Sequence, residues 1–234
     1  MNAFIAELIG TAIIIAFGNG VVANVVLNKT KGNNGGLITI TVGWSMAVFI
    51  GVYMAAASSG AHLNSAVTIG LASLGKFDWA IVPQYLLAQL LGAMLGQLAV
   101  FIIYKDHFNS SEGFAQRACF CTDPAIRNPV QNFITEFLAT MIFMLAVLFI
   151  TKGEQALGSL DALPVALVVL GIGLSFGGPT GYAINPARDL GPRMMRMILP
   201  MKNKANTDWG YAWVPIAGPI LGALAAGFIF NLFQ

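Results

Sequence analysis

Charged residues are scarce in this 234-residue chain, where Asp, Glu, Lys and Arg together account for 9% of the sequence. A soluble domain carries roughly 25% charged residues, so most of these side chains are not expected to meet water. The formal net charge of +2 is too small to indicate a nucleic-acid partner. Because 57% of the residues are hydrophobic, the lipid bilayer is the expected solvent.

Cysteine is also rare, with only two residues, Cys119 and Cys121. Their spacing strains a disulfide and supplies too few ligands for a structural zinc ion, so we interpret both as ordinary loop residues. We predict no metal and no other cofactor. The sequence has no nucleophile–base pair and no phosphate-binding loop, and we therefore do not predict an enzyme.

Long apolar runs dominate the sequence, and each approaches the ~20 residues that a transmembrane helix needs. The six runs cover residues 3–27, 37–57, 82–104, 133–150, 160–177 and 211–233. Polar loops lie at residues 28–36, 105–131 and 151–159. No basic segment precedes the first run, so we expect it to remain as a span and not to be cleaved as a signal peptide. The predicted fold is an all-α, multi-pass membrane protein.

Two short segments, residues 59–70 and 180–191, fit neither the spans nor the loops. Aligned on Asn64 and Asn185, they share a glycine four residues earlier, an alanine two residues later and a glycine six residues later. The flanks repeat as well: Glu7 corresponds to Glu136, and Leu-Gly-Ala at 91–93 corresponds to 221–223. We infer a duplication with halves 1–108 and 132–234, joined by the loop 109–131. Since each half has three spans, the second enters the membrane from the opposite face, as in many transport proteins.

Each of these segments is expected to form a half-helix. Asn64 and Asn185 are strong N-cap residues, and Pro186 suits the first helical position. About ten residues at ~1.5 Å each reach halfway across a hydrocarbon core of ~30 Å. Two such helices that enter from opposite faces would meet at the midplane, with their N-termini pointing at one spot.

The extended stretches that lead into the half-helices are tolerable at membrane depth only where they line a cavity, so the sequence predicts a pore. Its wall is expected to carry the backbone carbonyls of Gly60, Ala61, His62, Gly181, Tyr182 and Ala183. At the centre, the amides of Asn64 and Asn185 would donate hydrogen bonds. The positive helix N-termini and Arg188 would exclude protons and cations but admit neutral solutes.

The stretches GAHLNSAV and GYAINPARD resemble the paired Asn-Pro-Ala boxes of the aquaporin, or major intrinsic protein, family. The resemblance covers essentially the whole chain, and it includes Glu7, Glu136 and the T-x-P motif that begins at Thr122. It implies a homotetramer with one pore per subunit, in which the two glutamates hold the pore loops in shape. The central boxes are Asn64-Ser65-Ala66 and Asn185-Pro186-Ala187. With serine in place of the first proline, we expect the helix cap to survive and proline's stiffness to be lost.

The resemblance also implies a narrowest point formed by Trp44, Gly173, Tyr182 and Arg188. Water-selective relatives typically have a histidine where this chain has Gly173, so we expect open volume there. Trp44 and Tyr182 would form an apolar corner opposite the donors of Arg188, a combination that suits glycerol. Tyr182 replaces the phenylalanine common in bacterial glycerol facilitators and is expected to add a hydroxyl near the mouth of the pore.

Asp189 resembles the NPARD ending of glycerol-conducting members, the aquaglyceroporins. An acid in the first turn of a helix is also favourable to the helix dipole, and the two interpretations are compatible. The resemblance thus implies a passive channel of the bacterial plasma membrane that passes glycerol, water and small polyols. The alternatives are a water-selective channel, a channel for undissociated lactic acid or dihydroxyacetone, and an ion-coupled transporter, which would need titratable groups at its binding site.

The orientation in the membrane is predicted differently by two criteria. Family topology puts the amino terminus in the cytoplasm and leaves only Lys76 and Lys152 on that side. The loops that would then lie outside contain Lys29, Lys31, Lys105, Arg117, Arg127, Lys202 and Lys204. The positive-inside rule favours the opposite orientation. We adopt the family topology, because the fold depends on it.

Overall fold

The computed structural model describes residues 1–150 and 160–233, and within them the regular structure is helical, without strands. The α-helices of this part of the chain are α1 (Ala3–Val26), α2 (Gly36–Ser59), α3 (Ser65–Ser73), α4 (Val82–Ile103), α5 (Lys105–Asn109), α6 (Gly113–Ala118), α7 (Pro129–Ile150), α8 (Leu163–Thr180), α9 (Pro186–Ile198) and α10 (Val214–Asn231). A 3₁₀ turn, Trp209–Tyr211, precedes α10. The predicted polar loop 151–159 lies outside the described residues.

Six of these helices, α1, α2, α4, α7, α8 and α10, are long and apolar enough to cross a membrane. The six predicted spans are therefore confirmed, with boundaries that shift by a few residues. The two short helices α3 and α9 begin at the expected asparagines and do not reach membrane-spanning length. The predicted fold class, an all-α membrane protein with six spans and two re-entrant half-helices, is confirmed.

Glycine ends the helix that precedes each half-helix. Gly60 follows α2 with φ 78° and Gly181 follows α8 with φ 79°. Both angles lie in the left-handed region that glycine adopts without steric cost, as in most helix C-caps of this kind. The chain can therefore reverse at these two points, and it leads back into the protein at Asn64 and Asn185.

Corresponding helices of the two predicted halves make corresponding contacts. Helix α1 packs against α2 and α4, and α7 packs against α8 and α10. A Cβ at Gly92 would overlap the Leu8 carbonyl oxygen, and a Cβ at Gly222 would overlap that of Phe137, so glycine permits close contact at equivalent places. The half-helices are exchanged between the halves: α3 packs mainly on α10, and α9 mainly on α4.

Loops at one end of the bundle are tied together by ion pairs. Arg117 Nη2 lies 2.7 Å from Asp123 Oδ2, and Arg127 binds Asp208 through two contacts of 2.6 and 3.0 Å. The hydrogen bonds from Arg127 lower the pKa of Asp208 below its ordinary value. The cations predicted to lie outside therefore include two that are held by carboxylates.

The two cysteines lie in the same region and are free thiols with almost no exposed surface. Burial raises the pKa of the Cys121 thiol to about 12, and it also raises the pKa of Cys119. Both thiols are therefore protonated and unreactive at neutral pH, as befits residues that pack inside a loop.

Candidate pore and its narrowest point

The two box asparagines lie next to each other and bind each other's loop. Asn64 Nδ2 donates to the Ile184 carbonyl at 2.9 Å, and Asn185 Nδ2 donates to the Leu63 carbonyl at 2.9 Å. Their Oδ1 atoms accept from backbone N–H groups two residues later and so cap α3 and α9. Each Nδ2 carries two hydrogens, so one on each asparagine is left for a solute in the cavity that both residues line.

The loops that precede the asparagines adopt strained backbone conformations. Ala61 and Leu63 have φ of 50°, and their counterparts Tyr182 and Ile184 have φ of 38° and 45°. Residues with a Cβ rarely occupy this region, at a cost of about 1–3 kcal/mol each. Such strain persists only where neighbouring groups hold the backbone in place.

Two buried glutamates supply that support. Glu7 Oε1 accepts from the His62 N–H at 2.9 Å, and Glu7 Oε2 accepts from the Leu63 N–H at 2.7 Å. In the second half, Glu136 accepts from the Ala183 and Ile184 N–H groups at 3.0 and 3.1 Å. Each carboxylate thus accepts from two consecutive N–H groups, which turns the carbonyl side of the backbone away from the glutamate.

A cavity of about 400 Å³ runs along these loops, and its other side is lined mainly by apolar side chains of the spans, with Asp161 as the one acidic residue among the described lining residues. The predicted site residues that line it are Trp44, Gly60, Ala61, His62, Asn64, Tyr182, Ala183, Asn185 and Arg188. Gly181 lines a second cavity of about 190 Å³. The remaining predicted residues line neither cavity: Glu7, Ser65, Ala66, Glu136, Gly173, Pro186, Ala187 and Asp189.

Three side chains line both cavities and therefore form the boundary between them: Trp44, Tyr182 and Arg188. The Arg188 guanidinium lies over the Trp44 indole, 4.3 Å from the ring centroid. Within the described part of the chain, no hydrogen-bond acceptor for the Arg188 side chain is found. Its donors are available to a solute, and a cation–π contact keeps the guanidinium in position.

Gly173 was expected to leave open volume in the pore, but other side chains pack against it. A Cβ at Gly173 would lie 2.6 Å from Thr41 Cγ2 and 3.0 Å from Tyr182 Cζ. A Cβ at Gly177, one helical turn later, would lie 2.7 Å from Tyr182 Cδ1. The expectation of open volume beside Gly173 is wrong, because the missing side chain lets Thr41 and the Tyr182 ring occupy that space.

The hydroxyl of Tyr182 is also placed differently. Its Oη atom is buried, and it has no hydrogen-bond partner among the described residues. The expectation of an additional hydroxyl near the mouth of the pore is therefore wrong, since packing against α8 directs the hydroxyl into the protein. The hydroxyl of Tyr182 is therefore not available to a solute in this structure.

Trp44 is positioned by a residue that no sequence motif contains. A Cβ at Gly18 of α1 would lie 2.6 Å from Trp44 Cδ2 and closer still to two neighbouring ring atoms. Both aromatic residues of the boundary therefore rest on glycines, Trp44 on Gly18 and Tyr182 on Gly173 and Gly177. Small residues inside apolar spans were the only sequence signal for these contacts.

Asp189 faces away from both cavities and binds the loop that carries the T-x-P motif. Its Oδ2 accepts from the Thr122 N–H and hydroxyl, each at 2.7 Å, and Arg193 Nε donates to Oδ1 at 2.7 Å. All three side chains are buried. Asp189 thus connects α9, directly after Arg188, to the loop at the end of the second cavity.

The chain is similar to known proteins over nearly its whole length. Residues 1–230 match the sequence model of the Major intrinsic protein family. The chain is 49% identical over 232 residues to a "Probable glycerol uptake facilitator protein" of Thermotoga maritima, with 99% of each chain covered. It is 48% identical over 234 residues to a "Glycerol uptake facilitator protein" of Streptococcus pneumoniae, with 100% of each chain covered. Among solved structures, the aquaglyceroporin from Plasmodium falciparum is similar with a TM-score of 0.87 and 35% identity, over 97% of this chain and 94% of that one.

Proposed function

The chain belongs to the major intrinsic protein family, and on this premise we propose that it is a passive channel for glycerol and other small neutral solutes, with water. Membership in a family of channels places it outside the enzyme classes, as predicted. It is a multi-pass protein of the bacterial cell membrane.

The observation that carries the glycerol assignment is the boundary between the two cavities. Trp44 and Tyr182 offer apolar ring surface, while the donors of Arg188 have no acceptor among the described residues. Glycerol has a hydrocarbon edge and a row of hydroxyls, so its carbons can contact the rings while two hydroxyls accept from the guanidinium. Water has no hydrocarbon part, so a water-selective pore does not need the apolar ring surface.

Exclusion of ions follows from the charges around the same path. Arg188 carries a full positive charge at the narrowest point, and the N-termini of α3 and α9 each contribute roughly half a positive charge at Asn64 and Asn185. A proton or metal cation meets these charges in a narrow passage of low dielectric constant, whereas a neutral solute does not. The two asparagines would hydrogen-bond each passing oxygen in turn.

The halves 1–108 and 132–234 would each supply one loop and one half-helix to this path, with 109–131 as the connection. We also propose the homotetramer that the family implies, embedded in lipid through the exposed apolar side chains of the spans. Ile38, Ile102 and Phe228 are examples, with 64–69% of their surface exposed. A tetramer of this kind would have one pore in each subunit.

Solute flux into proteoliposomes tests the proposal. Vesicles with the purified protein are shocked with glycerol, urea, erythritol and lactic acid, the last at low and at neutral pH, and the re-swelling rate is compared with that of empty vesicles. We expect rapid re-swelling with glycerol and slower re-swelling with larger polyols. Rapid water efflux without glycerol re-swelling would instead support a water-selective channel, and faster entry of lactic acid than glycerol at low pH would support an acid channel.

A further inference from the structure

Ser65 occupies the first position of α3, where the second box has Pro186. Serine brings two donors that proline lacks, a backbone N–H and a hydroxyl. Both face acceptors. The Ser65 hydroxyl donates to Gln89 Oε1 at 3.0 Å, and the Ser65 N–H is directed at Asn185 Oδ1 at a longer distance of 3.4 Å.

Gln89 of α4 is fully buried and uses all of its amide atoms. While its oxygen accepts from Ser65, its Nε2 donates to Glu7 Oε2 at 2.8 Å and to Thr68 Oγ1 at 2.9 Å. The one side chain therefore binds the first and fourth residues of α3 and the glutamate that holds the preceding loop. Both Nε2 hydrogens and the oxygen are satisfied, so the amide has a single orientation.

The second half of the chain shows what replaces this arrangement. The register of Leu-Gly-Ala at 91–93 with 221–223 places Pro219 at the position of Gln89, and the boxes place Pro186 at the position of Ser65. One half thus has serine and glutamine at the two positions, and the other half has proline at both. A buried serine hydroxyl or glutamine oxygen without its partner is costly, whereas the pair satisfies both atoms.

We propose that Ser65 and Gln89 form a side-chain clasp that fixes the start of α3, as the ring of Pro186 fixes the start of α9, and that Gln89 is thereby a positioning residue for Asn64. The proline ring restricts φ to about −65°, and serine does not. Asn64 directly precedes Ser65, so a shift at the start of α3 moves the amide that meets the solute. Glycerol, with several hydroxyls to align, is more sensitive to that shift than water.

Single substitutions at Ser65 test the hydroxyl. Ser65→Ala removes the donor to Gln89, Ser65→Thr keeps it, and Ser73→Ala is the matched control, because Ser73 Oγ donates to the Gly70 carbonyl at the opposite end of α3. We expect Ser65→Ala to lower the ratio of glycerol to water permeability by about threefold or more, because the loss of one buried hydrogen bond lets the start of α3, and with it Asn64, shift. Ser65→Thr and Ser73→Ala should keep the wild-type ratio. Loss of folded protein lowers both fluxes together and does not change their ratio. A Ser65→Ala ratio equal to that of the wild type would therefore overturn the proposal.

A double-mutant cycle tests the partner. Gln89→Met is measured in the wild type and in the Ser65→Pro background. Gln89 can bind Glu7 and Thr68 in both backgrounds, so the effect of losing those two bonds cancels when the two changes in permeability are compared. We expect the glycerol permeability per folded protein to fall at least twofold more in the wild-type background, because only there does the clasp exist. Equal factors in the two backgrounds would overturn the proposal.

The inference rests on the proposed conduction of glycerol, and the same vesicles separate the two. If the wild-type protein passed no glycerol, the proposed function would fail. The clasp would then be tested by measuring the water permeability of the same four proteins of the double-mutant cycle. If the wild type passes glycerol and the cycle shows no coupling, the clasp alone is refuted.

Discussion

Gly18 lies directly behind Trp44, and a single methyl group added there tests whether the position of the indole sets the width of the pore. In Gly18→Ala the new Cβ would lie 2.6 Å from Trp44 Cδ2. Carbon atoms need about 3.5–4.0 Å, so the ring has to move by about 1 Å away from α1 and toward the path. Overpacking of this kind costs about 1–3 kcal/mol.

Glycerol can pass only when the Trp44 ring moves back to its wild-type position. The overpacking energy therefore adds to the barrier for glycerol, and we expect the glycerol permeability to fall about tenfold or more. Water is smaller and should lose much less. Stopped-flow light scattering on proteoliposomes measures both fluxes in one preparation. Gly20→Ala is the matched control, since no atom lies within 4 Å of a Cβ at that position of the same helix. If Gly18→Ala and Gly20→Ala passed glycerol equally well, Trp44 would not form the narrowest point.

Three further predictions concern the same path and the loops that carry Arg127 and Asp208. Tyr182→Phe removes a buried hydroxyl that has no partner among the described residues, so it should leave the glycerol-to-water ratio unchanged and raise the free energy of unfolding by about 1 kcal/mol; a clear change in the ratio would place the hydroxyl in the pore. Arg188→Val should let protons and sodium ions leak through, measured with a pH-sensitive dye and by sodium uptake, and an ion leak equal to the wild type would refute the electrostatic account. Because Arg127 lowers the pKa of Asp208, their ion pair stabilises the fold above pH ~4 and ceases to do so as the pH falls through the lowered value. The difference in thermal midpoint between the wild type and Asp208→Asn should therefore be present at pH 7 and vanish in acid, and a difference independent of pH would contradict the pairing.

The spans, the half-helices and the asparagine boxes are readable from the sequence because each depends on local chemistry. A run of apolar residues long enough to cross the bilayer needs no partner to be recognised. Asn64 and Asn185 cap the helices that follow them through bonds to residues two positions away. The sequence similarity between the two segments, aligned on Asn64 and Asn185, makes the pairing of the two loops predictable.

The details of the narrowest point depend on contacts between distant segments. Gly173 in the sequence indicates a missing side chain, but only packing reveals that Thr41 and the Tyr182 ring fill the space. The direction of the Tyr182 hydroxyl is likewise set by α8 and not by its neighbours in the loop. A glycine inside an apolar run does not indicate which ring will rest on it, so the support that Gly18 gives to Trp44 could not be predicted.

The same limit applies to Ser65. Its departure from the Asn-Pro-Ala pattern is obvious in the sequence, and the loss of proline's stiffness follows from it. The acceptor that compensates, Gln89, is on another helix and twenty-four residues away. Nothing in the sequence connects the two except the register of the repeat, which aligns them with Pro186 and Pro219.

The central claim is that a neutral polyol passes the boundary at Arg188 while protons do not. The most direct measurement is glycerol entry into proteoliposomes of the wild-type protein, followed by light scattering, while an entrapped dye reports the internal pH under an imposed proton gradient. The account predicts re-swelling at least ten times faster than in empty vesicles and a proton leak equal to theirs. Glycerol entry at the rate of empty vesicles, or a proton leak that accompanies it, would contradict the account.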